Sequence, residues 1–462
     1  MMSLSAIWQS PELSPKRHTT RETTPTVPVS AMINDMLPVE VFDDIFNFVR
    51  VEDERAHTDK QTIFACSRVS KPWCSLTLRH RFYSVSLFAR TEHPHEQWIL
   101  KRCFLQDFVR SPVFLVVKTY IQRLTVRWGI THIHPYIGAD LPQHLLFFPA
   151  LRSLKLRGLL GKRIPAPPPS MPIILDSLSV EGWVCHGRPH DSRVLCDLLR
   201  CFRSVGKLHL EDIKEWLPVS DYSTPQDIHP RVSSLVFRDS TCPRAICDAL
   251  QAAVARERPL RQLDMRALSF ANASDGIELM KAFAHTIEDL KCTMPSTNAT
   301  ASIYPVIPPF DFSTLRHLQS LTLAIELPLS RARRAHSLAG GEDLARASPL
   351  ARAISSLDTL RTRARTGPLT LLDVQLVPNR QLTDKTQTGD ALLDVLRRDD
   401  ASVRAFEAEV LGLVNEGCVR LVRLGVYSAP PASGLGEGCR HACEEELVTM
   451  FPALRRLGIF IV

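Results

Sequence analysis

The chain has 462 residues and a net charge of +7, with 45% hydrophobic and 23% charged residues. This length exceeds what one compact core usually supports, so at least two folded units are expected. Its 33 prolines and 19 glycines disfavour a glycine-rich nucleotide-binding enzyme, and so small a positive excess does not favour nucleic acid as the partner.

Cysteine usage and hydropathy indicate the compartment. The 12 cysteines are scattered and form no CxxC pair, a pattern that favours reduced thiols over a disulfide framework. No apolar run is long enough to span a membrane, and the first residues lack the apolar stretch of a signal peptide. We therefore expect a cytoplasmic and/or nuclear protein that has no membrane partner.

The beginning of the chain is rich in threonine, serine and proline, and it includes the run TTPTVP at residues 23–28. A segment of this composition buries too little apolar surface to offset the conformational entropy that folding costs. Residues 1–34 are therefore predicted to form a disordered tail.

Residues 35–90 carry the periodicity of three short amphipathic helices. In the first helix, Pro38 suits the opening turn, and apolar side chains then recur every four residues from Val41. The second helix is indicated by the apolar pattern of residues 63–69, and the third opens at Pro72. A unit of this size cannot bury all its apolar surface alone, so it should pack on the rest of the chain or on a partner.

Three segments of this region resemble an F-box in the order of their residues. They read LPVEVFDDIFNFV (37–49), IFACSRVSKPWCSL (63–76) and RFYSV (81–85). The loop at residues 51–61 is longer than in most members of that family, which affects the geometry between the first two helices. The alternative interpretation is an ordinary helical cap on a larger domain.

The F-box resemblance implies a partner. Members of this family dock to Skp1, the linker that joins F-box proteins to a cullin ubiquitin ligase, and an apolar helical face is a suitable docking surface. The residues that the resemblance assigns to Skp1 binding are Leu37, Pro38, Val41, Ile45, Phe46, Cys66, Val69 and Trp73.

A short pattern recurs through residues 91–462: an apolar residue, any two residues, leucine, any residue and a second apolar residue. Its central leucines are Leu124, Leu154, Leu178, Leu208, Leu235, Leu263, Leu290, Leu321, Leu372, Leu424 and Leu457. The first eight follow one another at intervals of 24 to 31 residues, which matches the period of leucine-rich repeats. The alternation of apolar residues predicts one short strand in each copy.

Helical patterns lie between these strands, at residues 192–202, 244–255, 276–284 and 391–413. The predicted fold is therefore α/β: a three-helix F-box, then an irregular, horseshoe-like leucine-rich-repeat solenoid with short parallel strands and helices on its convex side. Residues 328–348 are expected to be an exposed loop insertion. The asparagine or cysteine that usually follows each strand is missing, so the repeats are degenerate. Fungal proteins that pair an F-box with irregular leucine-rich repeats are similar in architecture.

Motifs of enzymes and metal sites are missing from the sequence. It contains no Walker loop, no dinucleotide-binding glycine fingerprint, no HExxH and no nucleophile elbow. Cys439, His441 and Cys443 lie close together, but no second pair completes a structural zinc site, and one buried helix face explains them more simply. We predict that the protein is not an enzyme and has neither a cofactor nor a metal.

The outward positions of the predicted strands are more often basic than acidic. Because each leucine and the apolar residue two places later face the core, the residues beside them face outward. The basic residues concentrate on the first two strands, at Arg123, Arg127, Lys155 and Arg157. Arginine clusters favour carboxylates and phosphates. These four residues are therefore the predicted substrate-binding set, for an acidic or phosphorylated segment; the alternative is that they only keep the sheet face soluble.

These patterns predict a substrate-recognition adaptor of an SCF-type (Skp1–cullin–F-box) ubiquitin ligase, in which the F-box docks to Skp1 and the repeats capture a protein substrate. The competing hypothesis is a leucine-rich-repeat scaffold that binds proteins outside a ubiquitin ligase. A basic nucleic-acid-binding protein is a third hypothesis; it requires strongly salt-dependent binding, and the modest net charge disfavours it.

Overall fold

The computed structural model describes residues 41, 44, 63, 65–68, 71–88, 104–127, 141–158, 173–182, 184–185, 198–215, 231–238, 260–266, 273–294, 309–327, 348–363, 367–378, 388–426, 445–456 and 460–461. The chain divides into two compact units. The first comprises Met1–His134 and Gln143–Leu151, and the second comprises Pro135–Pro142 and Arg152–Val462.

The first unit combines short helices with two parallel strands. Its elements are α1 (Lys71–Arg81), β1 (Ser84–Phe88), α2 (Phe104–Arg110), α3 (Pro112–Val117) and β2 (Arg123–Arg127), and α4 (Leu141–Leu145) crosses the boundary between the units. In the parallel pair, Val85 lies opposite Leu124. The strand β1 was not predicted, because its copy of the repeat pattern has valine in place of the central leucine.

The core of the first unit contains a cluster of three aromatic rings. The ring of Phe114 lies edge-on to those of Phe108 and Phe148, with centroid separations of 5.4 and 5.1 Å. Phe114 is placed by the start of α3, where the hydroxyl of Ser111 accepts a hydrogen bond from the Phe114 N–H at 3.3 Å. Pro112 occupies the first turn, where its missing N–H is not needed.

The second unit is built on a parallel sheet. Its described strands, in sheet order, are β3 (Ser153–Arg157), β4 (Ile173–Glu181), β6 (Phe202–Glu211), β8 (Arg231–Arg238), β9 (Gln262–Asp264), β10 (Asp289–Met294), β11 (Ser320–Leu327), β12 (Leu369–Pro378), β13 (Val419–Val426) and β14 (Phe460–Ile461). The two-residue strands β5 (Val184–Cys185) and β7 (Lys214–Glu215) pair with each other.

The central leucines of the repeat pattern form a continuous buried column in this sheet. Direct register partners, strand by strand, are Leu154, Leu178, Leu208, Leu235, Leu263, Leu290, Leu321 and Leu372. Each of these side chains is 0 or 1% exposed. The sequence therefore correctly predicted both the strands and the face that each strand buries.

The register changes at the last two copies of the pattern. Leu372 pairs with Val422, and Leu424 pairs with Val374 two positions further along. In the last copy, Leu454 lies in the helix α9 (Pro452–Arg456), and Leu457 and Ile459 lie outside the described residues. The strand comes later, where Ile461 pairs with Leu424. The strand predicted in the copy at 421–426 is present as β13, but its pairing with β12 is shifted by two residues, because this apolar-rich segment offers the motif in more than one frame.

Helices connect the later strands. They are α5 (Ala273–Ala282), α6 (Pro349–Arg363), α7 (Thr388–Arg398) and α8 (Asp400–Asn415). The helix predicted at residues 276–284 is α5, and the one predicted at 391–413 is divided by Asp399 into α7 and α8. In the predicted stretch 192–202, residues 198–200 are helical and Phe202 begins β6. The stretch 244–255 and most of the predicted loop 328–348 lie outside the described residues.

Three strands that are neighbours in the sheet of the second unit are each followed by a residue with a left-handed backbone conformation. Gly158, Gly182 and Asp212 have φ values of 74°, 69° and 52° and directly follow β3, β4 and β6. The N–H of each donates to the carbonyl oxygen of the last residue of the next strand, at 2.8, 2.9 and 2.8 Å. These backbone hydrogen bonds satisfy polar groups at the bend, where the repeat pattern lacks its usual asparagine.

The described residues thus form an α/β protein with a parallel sheet, an arrangement compatible with a solenoid-like fold. In the F-box-like segment, Val41, Asp44, Ile63, Ala65 and Cys66 are helical and α1 begins next to Pro72, as predicted. These residues do not define a complete three-helix unit, so the F-box domain stays a prediction.

Candidate functional site

The predicted Skp1-binding residues are described only in part. Val41 is helical and 38% exposed. Cys66 and Trp73 are half-buried and pack, together with Leu76, against the buried side chain of Ile63. Burial raises the pKa of the Cys66 thiol. Cys66 and Trp73 therefore have contacts within the helical segment itself. Leu37, Pro38, Ile45, Phe46 and Val69 lie outside the described residues.

The predicted substrate-binding residues belong to different units. Arg123 and Arg127 are exposed on β2, in the first unit. The guanidinium carbon of Arg123 lies 5.4 Å from the centroid of the Tyr83 ring, a cation–π distance. Lys155 and Arg157 lie on β3, in the second unit. The cationic residues of the second unit form a separate set.

A single carboxylate joins Lys155 and Arg157. The Lys155 Nζ and an Arg157 Nη atom each lie 2.7 Å from Glu181, on different oxygens of its carboxylate. The two cationic side chains are 40% and 42% exposed, whereas that of Glu181 is 10% exposed. Parallel pairing places Arg157 directly opposite Glu181. The carboxylate is thus the inner partner of two cations that extend past it toward solvent.

Further cations continue this surface on the next strands. Lys207 on β6 and Arg238 on β8 are exposed. His209 also lies on the outward face of β6, two residues after Lys207. We name Lys155, Arg157, Lys207, His209 and Arg238 the basic strand face. It spans β3 to β8.

The positive potential of the basic strand face affects the titration of His209. The pKa of His209 is lowered to about 4, and burial is the largest cause because it penalises the charged imidazolium. The charges of Lys207, Arg238 and Lys155 lower it further, and only the carboxylate of Asp264 opposes them among the influences on this residue. At neutral pH the imidazole is therefore uncharged, and its nitrogens offer one donor and one acceptor.

On the outward face of the later strands, several charged side chains have polar partners nearby. Arg266 donates to both carboxylate oxygens of Asp264, at 3.1 and 2.9 Å, and reaches Gln375 on β12 at 3.4 Å. The Gln375 amide in turn donates to Asp373 at 2.7 Å. Burial also raises the pKa of Asp289, and the positive charge of Lys291 opposes this rise. The side chains of Asp264, Arg266, Gln375 and Asp373 therefore form one network of polar contacts.

The alternation of the strands predicted that Lys155 and Arg157 face outward, but it did not predict their contact with Glu181. A signal was present, because aligning the copies LRSLKLR and LDSLSVE on their leucines places Glu181 beside Arg157. The contact cannot be inferred from the sequence alone, because it requires that consecutive copies form adjacent strands with their leucines in register.

The chemistry available at the basic strand face is ionic binding. Its members can donate charge-assisted hydrogen bonds to carboxylates or phosphates. Within the part of the chain that the structure describes, no group of three or more histidine, cysteine, aspartate or glutamate side chains is arranged to hold a metal ion. None of the helices in the described ranges is long and apolar enough to cross a membrane.

Comparison with known proteins adds no assignment. No protein-family model matches the chain, and no curated protein matches its sequence.

Proposed function

We propose that this chain is a non-catalytic substrate-recognition adaptor of an SCF-type ubiquitin ligase. Its F-box segment would dock to Skp1 and through it to a cullin, and its irregular leucine-rich-repeat solenoid would capture a protein substrate. Such an adaptor contributes proximity: it raises the effective concentration of the substrate near the ubiquitin-charged enzyme.

The observation that carries the proposal is the order of the two regions. A segment that resembles an F-box, residues 37–85, precedes a parallel sheet whose leucines are in register from Leu154 to Leu372. The helical state of Ile63 and of α1 is consistent with the resemblance. The outward sheet face carries varied polar side chains, which suits recognition of a partner by a repeat protein.

The test is co-purification of the full chain with Skp1. Replacing Leu37 and Pro38 with alanine should abolish Skp1 binding, because the resemblance places both at the docking surface. The sequence offers a matched control, since residues 217–219 repeat the same LPV tripeptide. The variant Leu217→Ala/Pro218→Ala should retain Skp1. Equal binding by both double variants and the unaltered chain would refute the F-box assignment.

A second candidate function is a repeat scaffold that binds proteins outside a ubiquitin ligase. The packing of Cys66 and Trp73 against Ile63 favours it, because side chains that are used within the chain are less available to Skp1. This candidate predicts that the unaltered chain does not retain Skp1, while its sheet is folded and captures partners. The same co-purification therefore decides between the two functions.

A further inference from the structure

The contacts of Glu181 show how the basic strand face holds a carboxylate. Lys155 and Arg157 approach different oxygens of one carboxylate at 2.7 Å each. A lysine ammonium has three donors and an arginine guanidinium has five, so one carboxylate leaves donors on both side chains unused. Because these side chains are about four times as exposed as that of Glu181, the remaining donors can meet a second carboxylate from solution.

The basic strand face has an excess of positive charge. Lys155, Arg157, Lys207 and Arg238 supply four positive charges, and the outward acidic residues of the same strands are Glu181 and Glu211. The difference is +2 at neutral pH, where His209 is uncharged. The lowered pKa of His209 is consistent with this excess.

Charge complementarity and side-chain type identify the occupant. Single-stranded nucleic acid is usually held by aromatic side chains that stack on bases. The outward positions beside the central leucines of β3, β4, β6 and β8, all of which the structure describes, hold serine, lysine, arginine, glutamate, histidine and valine. The carboxylates of Glu181 and Glu211 would also repel a continuous phosphate backbone. A short acidic peptide can place its few carboxylates between them.

We propose that the basic strand face docks a segment of a protein partner that is rich in aspartate and glutamate. The segment lies over β3 to β8, with one carboxylate at Lys155 and Arg157 beside Glu181 and another at the exposed Lys207. An acidic protein segment is thus the substrate class of the capture surface. Only the fate of the bound protein, which is ubiquitination, rests on the proposed adaptor function.

The experiment measures binding of a fluorescently labelled oligoglutamate peptide to the purified full chain by anisotropy. The variant Lys155→Gln/Lys207→Glu should weaken binding by about tenfold or more, since it removes two charge-assisted contacts. Lys291→Glu, on the same sheet but outside the basic strand face, should change it by less than about twofold. Glu211→Gln should tighten binding by about threefold, because one repulsive charge is removed. Circular dichroism confirms that each variant is folded.

Two outcomes would overturn the proposal. One is that Lys291→Glu weakens peptide binding as much as the double variant, and Glu211→Gln does not tighten it. The other is that oligothymidylate of the same length binds more tightly than the peptide, which would indicate a nucleic-acid surface. Skp1 co-purification is measured on the same preparations. If the chain does not bind Skp1 but peptide binding follows the expected order, the adaptor function is wrong and the docking surface is supported. If the chain binds Skp1 but peptide binding does not follow the expected order, only the docking surface is rejected.

Discussion

At the residue scale, Gly206 lies where the backbone of the neighbouring strand leaves no space for a side chain. A β-carbon built there would lie 2.7 Å from the carbonyl oxygen of Asp176 on the neighbouring strand, closer than real β-carbons approach. Relief requires movement of one backbone relative to the other. Gly206→Ala should therefore lower the free energy of unfolding by about 1–3 kcal/mol, as overpacking usually does.

Denaturation in urea measures this loss for Gly206→Ala. The control is Ser204→Ala on the same strand, where a half-buried serine becomes smaller; its effect should stay within about 0.5 kcal/mol. An unchanged midpoint for the alanine variant at Gly206 would show that β4 and β6 are not as close as the structure places them.

The lowered pKa of His209 should make the stability of the fold depend on pH. Its pKa of about 4 in the fold lies below its ordinary value of 6.5, so the unfolded chain binds more protons between these values. Stability from this group is fully present above pH 6.5 and is lost as the pH falls toward 4. His209→Gln, which cannot take up the proton, should unfold with a weaker pH dependence in that window.

Thermal unfolding between pH 4 and 7 checks this prediction for His209. His144→Gln, at a half-buried histidine on α4, controls for the loss of one histidine elsewhere in the chain. Identical slopes for all three proteins would mean that His209 titrates normally, and the positive potential of the basic strand face would then be in doubt.

At the scale of elements, α6 holds the segment that leads into β11. The buried Arg363 donates a hydrogen bond from Nε to the carbonyl oxygen of Leu315 at 2.7 Å, and another from Nη2 to that of Leu318. Burial lowers the pKa of Arg363. The side chains of Ser356 and Thr359 accept hydrogen bonds from the N–H groups of Phe310 and Phe312, both at 2.9 Å. The helix therefore satisfies the backbone of a segment without regular structure.

Replacing Arg363 with methionine keeps the apolar volume and removes both donors. Two carbonyl oxygens then lose their charged partner in a buried site, so the unfolding free energy should fall by about 2–4 kcal/mol. Arg404→Met is the matched control, because Arg404 on α8 is 77% exposed and pairs with Asp400 one turn away; its loss should be at most about 0.5 kcal/mol. Equal stability of the two variants in chemical denaturation would contradict the role assigned to α6.

At the scale of the whole molecule, the leucine column makes the stability of each strand depend on its neighbours. Leu208 is 0% exposed and lies between Leu178 and Leu235 in register. Leu208→Asp buries an unpaired carboxylate where three strands meet, and a repeat array transmits such damage through nearest-neighbour interfaces. We expect the variant to lose its cooperative unfolding transition.

Hydrogen exchange followed by mass spectrometry locates the damage in Leu208→Asp. Protection should be lost in β4, β6 and β8 together. Lys207→Asp changes the adjacent, exposed residue of the same strand and should preserve protection in all three. Loss confined to residues next to position 208 would argue against a continuous core.

The sequence by itself determined which segments become the strands of the leucine column and which face of each of these strands is buried. Both properties are local, because the alternation around Leu154 or Leu290 expresses a period of two residues that any neighbouring strand will respect. For the same reason Lys155 and Arg157 could be identified as outward-facing before any pairing was known. The helical periods of α1, α5, α7 and α8 are equally local.

Only the tertiary structure decided which outward residues become partners. Glu181 neutralises part of the charge on β3 because it follows Arg157 by one strand, and the repeat interval varies from 24 to 31 residues. The depressed pKa of His209 and the two carbonyl partners of Arg363 arise from chain segments that are distant in sequence. The frame shift at Val422 has the same origin: where a strand offers apolar residues in two frames, packing against the preceding strand selects the register.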